Sequence, residues 1–318
     1  MWVPLLLLIF GFIALVWSAD RFLSGAAACA GNLGVSKMLI GLTVVSVGTS
    51  APEILVAMFA AIDGNPLLAV GNAIGSNIAN IGLVLGITAL VAPLPFSATV
   101  RRKELPWLLA ATALTIFLLF DLTLSGFDGF VLLLGLALIM YRLMRGQDED
   151  DLSASLQEEL EELPEMTTPQ AVAWLGLGLI ILLISAQVLV YAATWIAQAL
   201  GVSEMIIGLT IVAVGTSLPE LAATIGSAVK GHPDIAIGNV VGSNILNILA
   251  VLAVPGLLGG ATIDAVSLWR DCGMMLALTL MLALFAYGIN SQAVITRFEG
   301  AVFLLFWIGY NTVLVQQA

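Results

Sequence analysis

The stretch that decides the fold is written twice: GLTVVSVGTSAPE from Gly41 to Glu53, and GLTIVAVGTSLPE from Gly208 to Glu220. Each copy lies inside a strongly apolar segment, so each sets a carboxylate near the middle of a membrane span. An acid at the bilayer centre costs at least about 2.5–3.5 kcal/mol on insertion scales, and residues placed there mark ion paths or substrate sites. Two such acids, duplicated with their surroundings, need a shared purpose.

Composition sets the same frame. The chain has 318 residues, 60% of them hydrophobic and 10% charged, with a mean hydropathy of +1.09. Soluble domains carry about 25% charged residues, so the reading is an all-α polytopic membrane protein with the lipid bilayer as its main partner. The net charge is −11, but nine of the 21 acids (Asp148, Glu149, Asp150, Asp151, Glu158, Glu159, Glu161, Glu162 and Glu165) crowd one loop. That distribution gives no broad charged face, and nucleic acid is not an expected partner. Cys29 and Cys272 lack metal-ligand spacing and read as packing residues. His232 stands in a polar turn and reads as solvated. The run from Trp2 past Val16 has no basic flank, so it reads as a first span and not as a cleaved signal.

Ten segments reach the roughly 20 apolar residues that a span needs: 3–28, 37–61, 67–92, 105–120, 127–144, 170–198, 204–229, 234–258, 271–289 and 299–316. A shift of 167, from Gly41 to Gly208, places Gly34 on Gly201, Pro66 on Pro233, and GNAIGSNIANI (71–81) on GNVVGSNILNI (238–248). Five spans per unit is an odd number, so the second copy enters the membrane from the opposite side. The expected architecture is ten transmembrane helices as two inverted five-helix repeats, with both motifs at mid-depth. The units are 1–145 and 170–318, joined by an acidic cytoplasmic linker, 146–169. With both termini outside, Arg21, Lys37, Arg101, Arg102, Lys103, Arg142, Arg145, Lys230 and Arg297 all fall inside, leaving only Arg270 out. That is the positive-inside pattern.

Within each motif a proline should break the helix, because Pro52 and Pro219 lack the N–H that the carbonyls of Gly48 and Gly215 would accept. Ser50-x-x-Glu53 and Ser217-x-x-Glu220 also match a capping box, which would make the acids local caps. Capping explains the spacing but not the placement in a membrane or the recurrence. Asn72, Ser76 and Asn80 share one helix face, as do Asn239, Ser243 and Asn247. Asn72 and Asn239 read as packing groups, and Ser76, Ser243, Asn80 and Asn247 as site groups. The set holds carboxylates, hydroxyls, amide oxygens and freed carbonyls, with neither imidazole nor thiolate, which suits a hard cation. Two bidentate Glu and one carbonyl from each broken helix reach six oxygens, enough for calcium, and the two charges also suit sodium in exchange. No phosphate loop and no Ser-His or Cys-His pairing is present, so neither an enzyme nor a cofactor is expected.

The paired GTSxPE and GSNIxN motifs resemble the alpha repeats of the cation/calcium exchanger superfamily, above all its bacterial sodium/calcium antiporters, and the similarity covers nearly the whole chain. The resemblance implies that Glu53 and Glu220 are calcium carboxylates, that Thr49 and Thr216 give backbone oxygens, and that Ser50, Ser217, Ser76, Ser243, Asn80 and Asn247 complete the sodium sites. It implies a monomeric antiporter in a bacterial inner membrane, with first and sixth spans that slide to alternate access. Some relatives carry Asp where this chain has Asn247, and the Asn goes with potassium independence. A calcium/proton antiporter of the same superfamily and a passive cation channel are the alternatives.

Overall fold

The computed structural model describes residues 2–33, 50–98, 100–145, 166–229, 233–287 and 293–317. In chain order the helices are α1 (Trp2–Asn32), α2 (Ala51–Ile62), α3 (Pro66–Val91), α4 (Val100–Asp121), α5 (Gly126–Arg145), α6 (Thr168–Leu200), α7 (Glu204–Thr216), α8 (Leu218–Val229), α9 (Ala236–Leu258), α10 (Ala265–Tyr287) and α11 (Arg297–Gln317). Two antiparallel bridges accompany them: β1 (Leu94–Pro95) with β4 (Val294–Ile295), and β2 (Thr123–Leu124) with β3 (Ala261–Thr262). Each bridge ties the first half of the chain to the second.

Among the described residues, seven helices are long and apolar enough to cross a membrane, or eight if α7 and α8, bent by 41°, form one span. The expected ten are therefore not reached. Segment 37–61 falls partly within 34–49, outside the described residues, so that α2 is what remains of it, and 127–144 is the 20-residue helix α5. The linker residues 146–165, Lys37, Lys230 and His232 also lie outside the described residues.

Helices α3 and α9 form the centre, with 78% of the apolar window of each buried, whereas α1 and α6 bury 33% and 28% and turn most of their surface outward. Lipid tails match apolar side chains, so helices in a membrane associate through close backbone packing at small residues, in the centre and along α1 and α6 alike. A Cβ added to Gly75 of α3 would meet the Leu209 Cα at 2.7 Å, and one on Gly208 of α7 would meet the Leu68 carbonyl oxygen at 2.5 Å. Their backbones are in contact. Gly11 faces Leu189, while Gly25 faces Leu175 and Ala171, so α1 and α6 run antiparallel along one another.

The 167-residue shift recurs in element bounds: Ala51–Ile62 falls on Leu218–Val229, Pro66–Ala79 on Pro233–Leu246, and Leu94–Pro95 on Ala261–Thr262. Beyond β3 it slips. Thr123–Leu124 corresponds to Val294–Ile295 and α5 to α11, four residues later than the shift places them, because the connection entering β4 is longer than the one entering β2.

Candidate cation-binding site

The bend between α7 and α8 falls at Ser217, two residues before Pro219, where the missing N–H leaves the Gly215 carbonyl without its helical donor. The Phe12 ring of α1 sits over Gly215, in space that any side chain there would fill. In the first half α2 starts at Ala51 with Pro52 in its first turn. Gly48 and Thr49 lie outside the described residues. Glu53 and Glu220 stand in the first turns of α2 and α8.

Both acids are fully enclosed, 0% and 1% exposed. Among the described residues, neither Oε1 nor Oε2 of either acid has a hydrogen-bond partner. The capping box is not realised. Ser50 precedes α2 without a side-chain cap, and the hydroxyls of Ser50 and Ser217 are buried and unpartnered. The contrast is at the start of α6, where Thr167 and Gln170 form a complete box, with the Thr167 N–H donating to Gln170 Oε1 at 3.2 Å. The same box also forms at two buried acids, where the Ser125 N–H donates to Asp128 Oδ2 at 2.7 Å and the Thr296 N–H to Glu299 Oε2 at 2.6 Å, so its absence at Glu53 and Glu220 is particular to the duplicated motif.

The amides arrive by a different device. Asn80 opens a π-helical turn in α3 (Asn80–Leu85) and Asn247 opens one in α9 (Asn247–Val251). Such turns widen the helix by one residue and concentrate at functional sites. Both polar atoms of both amides are buried without partners, as is the Ser243 hydroxyl. Ser76 differs, since its hydroxyl lies 3.5 Å from that of Thr216.

Thr216 and Asn72 tie the bend of the second half to the start of α2. The Thr216 hydroxyl donates to Asn72 Oδ1 at 3.3 Å, and Asn72 Nδ2 donates to the Glu53 backbone carbonyl at 3.4 Å. Asn72 is thus a packing group, as its helix position suggests, and the chain Thr216–Asn72–Glu53 links α7, α3 and α2. Asn239 is half-buried.

Three further polar groups belong to this region. Asn77 and Asn244 are buried, with Oδ1 of each unpartnered, and Thr224 is fully buried with a free hydroxyl. Asn77 and Asn244 follow the serines of the duplicated motif, so their recurrence was a readable signal, while Thr224 stands four residues after Glu220 on the same face. An enclosed set of unpartnered carboxylate, hydroxyl and amide oxygens can do one thing well: surround a hard cation and replace its water.

A family model described as Sodium/calcium exchanger protein matches residues 3–145 and 170–316. The chain belongs to the sodium/calcium exchanger family. It is therefore an integral, multi-pass membrane antiporter of a transporter family, not a member of an enzyme family. This exchanger is 44% identical to CaxA of Alkalimonas amylolytica, over 99% of each chain. It is 40% identical to the inner membrane protein YrbG of Escherichia coli strain K12, over 90% of this chain and 89% of the relative. The sodium/calcium exchanger MaX1 of Methanosarcina acetivorans is 31% identical over 98% of each. Among solved structures, the sodium-calcium exchanger NCX_Mj soaked with 2.5 mM Na+ and 0.1 mM Ca2+ matches with a TM-score of 0.65 and 32% identity, over 96% of both chains.

Proposed function

We propose that this exchanger expels calcium in return for sodium, through one mid-membrane site reached alternately from each side. The observation that carries the reading is the pair of enclosed carboxylates: four acid oxygens on Glu53 and Glu220 with no donor among the described residues. Glu53 and Glu220 would hold calcium with backbone oxygens of Thr49 and Thr216, and Ser50, Ser217, Ser76, Ser243, Asn80 and Asn247 would complete sodium sites. Competition supplies the coupling. One divalent ion or two monovalent ions neutralise the same two charges, whereas the empty, doubly charged site resists a change of access.

The topology that fits is ten spans in two inverted units, 1–145 and 170–318, in a bacterial inner membrane with both termini outside. The antiparallel run of α1 against α6, its counterpart under the shift, supports the inversion, as do the paired bridges, which exchange with one another when the halves are exchanged. Helices α7 and α8 count as one span and α5 as another. A single chain contains both acids, so a monomer suffices.

The test is calcium uptake into proteoliposomes loaded in turn with sodium, potassium or a pH gradient. Sodium-driven, saturable uptake is the expected result. Uptake driven by protons alone would assign the exchanger to calcium/proton antiport, and uptake without any counter-ion gradient to a channel.

A further inference from the structure

The inner face of α8 carries Glu220, Thr224 and Ala228 in a single buried stripe, four residues apart, while Ala222 and Ala223 are exposed. This helix packs against the π turn opened by Asn80 and against α9, which carries Ser243. Thr224 is 0% exposed and its hydroxyl has no partner. That is unusual for a threonine inside a span. Thr88, Thr112 and Thr279 each donate back to the carbonyl four residues earlier, at 2.8 Å. For Thr224 that carbonyl belongs to Glu220, and the bond is not made. Among the described residues, Thr115, on a helix without motif residues, is the other buried threonine in this state.

Thr224 also breaks the duplication. Ser50, Glu53, Ser76, Asn77 and Asn80 recur at the shift as Ser217, Glu220, Ser243, Asn244 and Asn247, but the position matching Thr224 is Ala57, equally buried at 0% exposure. The second half therefore adds one neutral oxygen, one helical turn from Glu220 on the side away from the bend.

We propose that Thr224 is a specificity-determining residue for the monovalent cation, giving its hydroxyl oxygen to a sodium ion that shares the charge of Glu220. This rests on the sodium/calcium reading above. Side chains four apart on a helix have Cβ atoms about 5–6 Å from one another, so the hydroxyl adjoins the carboxylate without reaching an ion centred between both acids. Calcium affinity follows the count of charged ligands, and a neutral hydroxyl adds little to it. Sodium, held by one carboxylate and neutral oxygens, loses a larger share of its shell when that hydroxyl goes.

The experiment measures half-saturating sodium and half-saturating calcium for exchange in wild type, Thr224→Ala, Thr224→Val and Thr224→Ser. Thr224→Ala and Thr224→Val are expected to raise half-saturating sodium about three- to tenfold and to leave half-saturating calcium within about twofold. Thr224→Ser is expected to restore the wild-type value. A sodium dependence unchanged in both Ala and Val variants, or sodium and calcium values that rise together in every variant, would overturn the assignment. Wild-type protein whose calcium uptake ignores sodium would sink the underlying reading and this assignment with it, a result distinct from normal wild-type exchange with indifferent variants.

Discussion

The side-chain nitrogen of Asn244 donates to the backbone carbonyl of Asn77 at 3.4 Å, joining two residues that hold the same place in the two copies of one motif. Asn77 Nδ2 in turn donates to the Ala73 carbonyl within α3 at 2.8 Å. The first of these bonds ties the central helices α3 and α9 to one another. Interhelical hydrogen bonds in membranes average about 0.6 kcal/mol and reach about 1.7. Asn244→Ala should therefore lower stability by about that amount, read as a fall in the thermal midpoint of the detergent-purified protein.

Glu220→Gln should do the reverse to the cation-free protein. Two enclosed acids without donors are held at a cost, since a buried unsatisfied polar group costs about 1–3 kcal/mol and a charged one more. Removing one of the charges should raise the apo melting temperature. Calcium at a hundred times its dissociation constant stabilises a protein by about 2.7 kcal/mol, and the variant should lose that increment. Thermal scans with and without calcium read both effects.

Asp271 shows that burial alone does not make an acid a ligand. It is 0% exposed, yet it accepts from Arg270 Nε at 2.6 Å and Arg270 Nη2 at 2.9 Å, and from the Tyr310 hydroxyl at 2.8 Å. Every oxygen is partnered. Breaking such a pair costs about 3–5 kcal/mol, so Asp271→Ala should destabilise strongly while Tyr310→Phe costs about 1–2 kcal/mol. The opposite signs expected for Asp271→Ala and Glu220→Gln, measured in one thermal series, separate a structural acid from a site acid.

The crossing of α1 and α6 gives a steric test. A Cβ on Gly25 would meet the Leu175 nitrogen at 2.5 Å and the Ala171 oxygen at 2.9 Å, whereas one on Gly176 would meet nothing within 4 Å. Gly25→Ala must force the two helices apart at about 1–3 kcal/mol. Gly176→Ala, next to Leu175 in the chain but on the exposed side of α6, should be neutral. Thermal midpoints and calcium uptake rates of the two variants make the comparison.

Much of this was legible in the residues. Pro219 announced the bend that the structure places at Ser217, and the shift from Glu53 to Glu220 anticipated matched helix bounds. The pattern Ser50-x-x-Glu53 was ambiguous between cap and ligand, because the spacing alone does not say whether a hydroxyl meets a backbone amide or faces an enclosed space. The π turns at Asn80 and Asn247 were hidden, since one added residue in a helix leaves an all-apolar sequence looking the same. Thr224 stood at a readable spacing from Glu220, but its meaning depends on the α8 face turning inward, which Ala222 and Ala223 are too small and neutral to signal. The slip beyond β3 was invisible to the motifs, which end before it.

The central claim is that Glu53 and Glu220 together hold one calcium ion that sodium displaces. Isothermal titration of sodium-free protein with calcium tests it most directly. One calcium should bind per chain, added sodium should remove it, and either Glu53→Gln or Glu220→Gln alone should abolish the binding heat. Undiminished calcium binding in both single variants, or binding indifferent to sodium, would contradict the account.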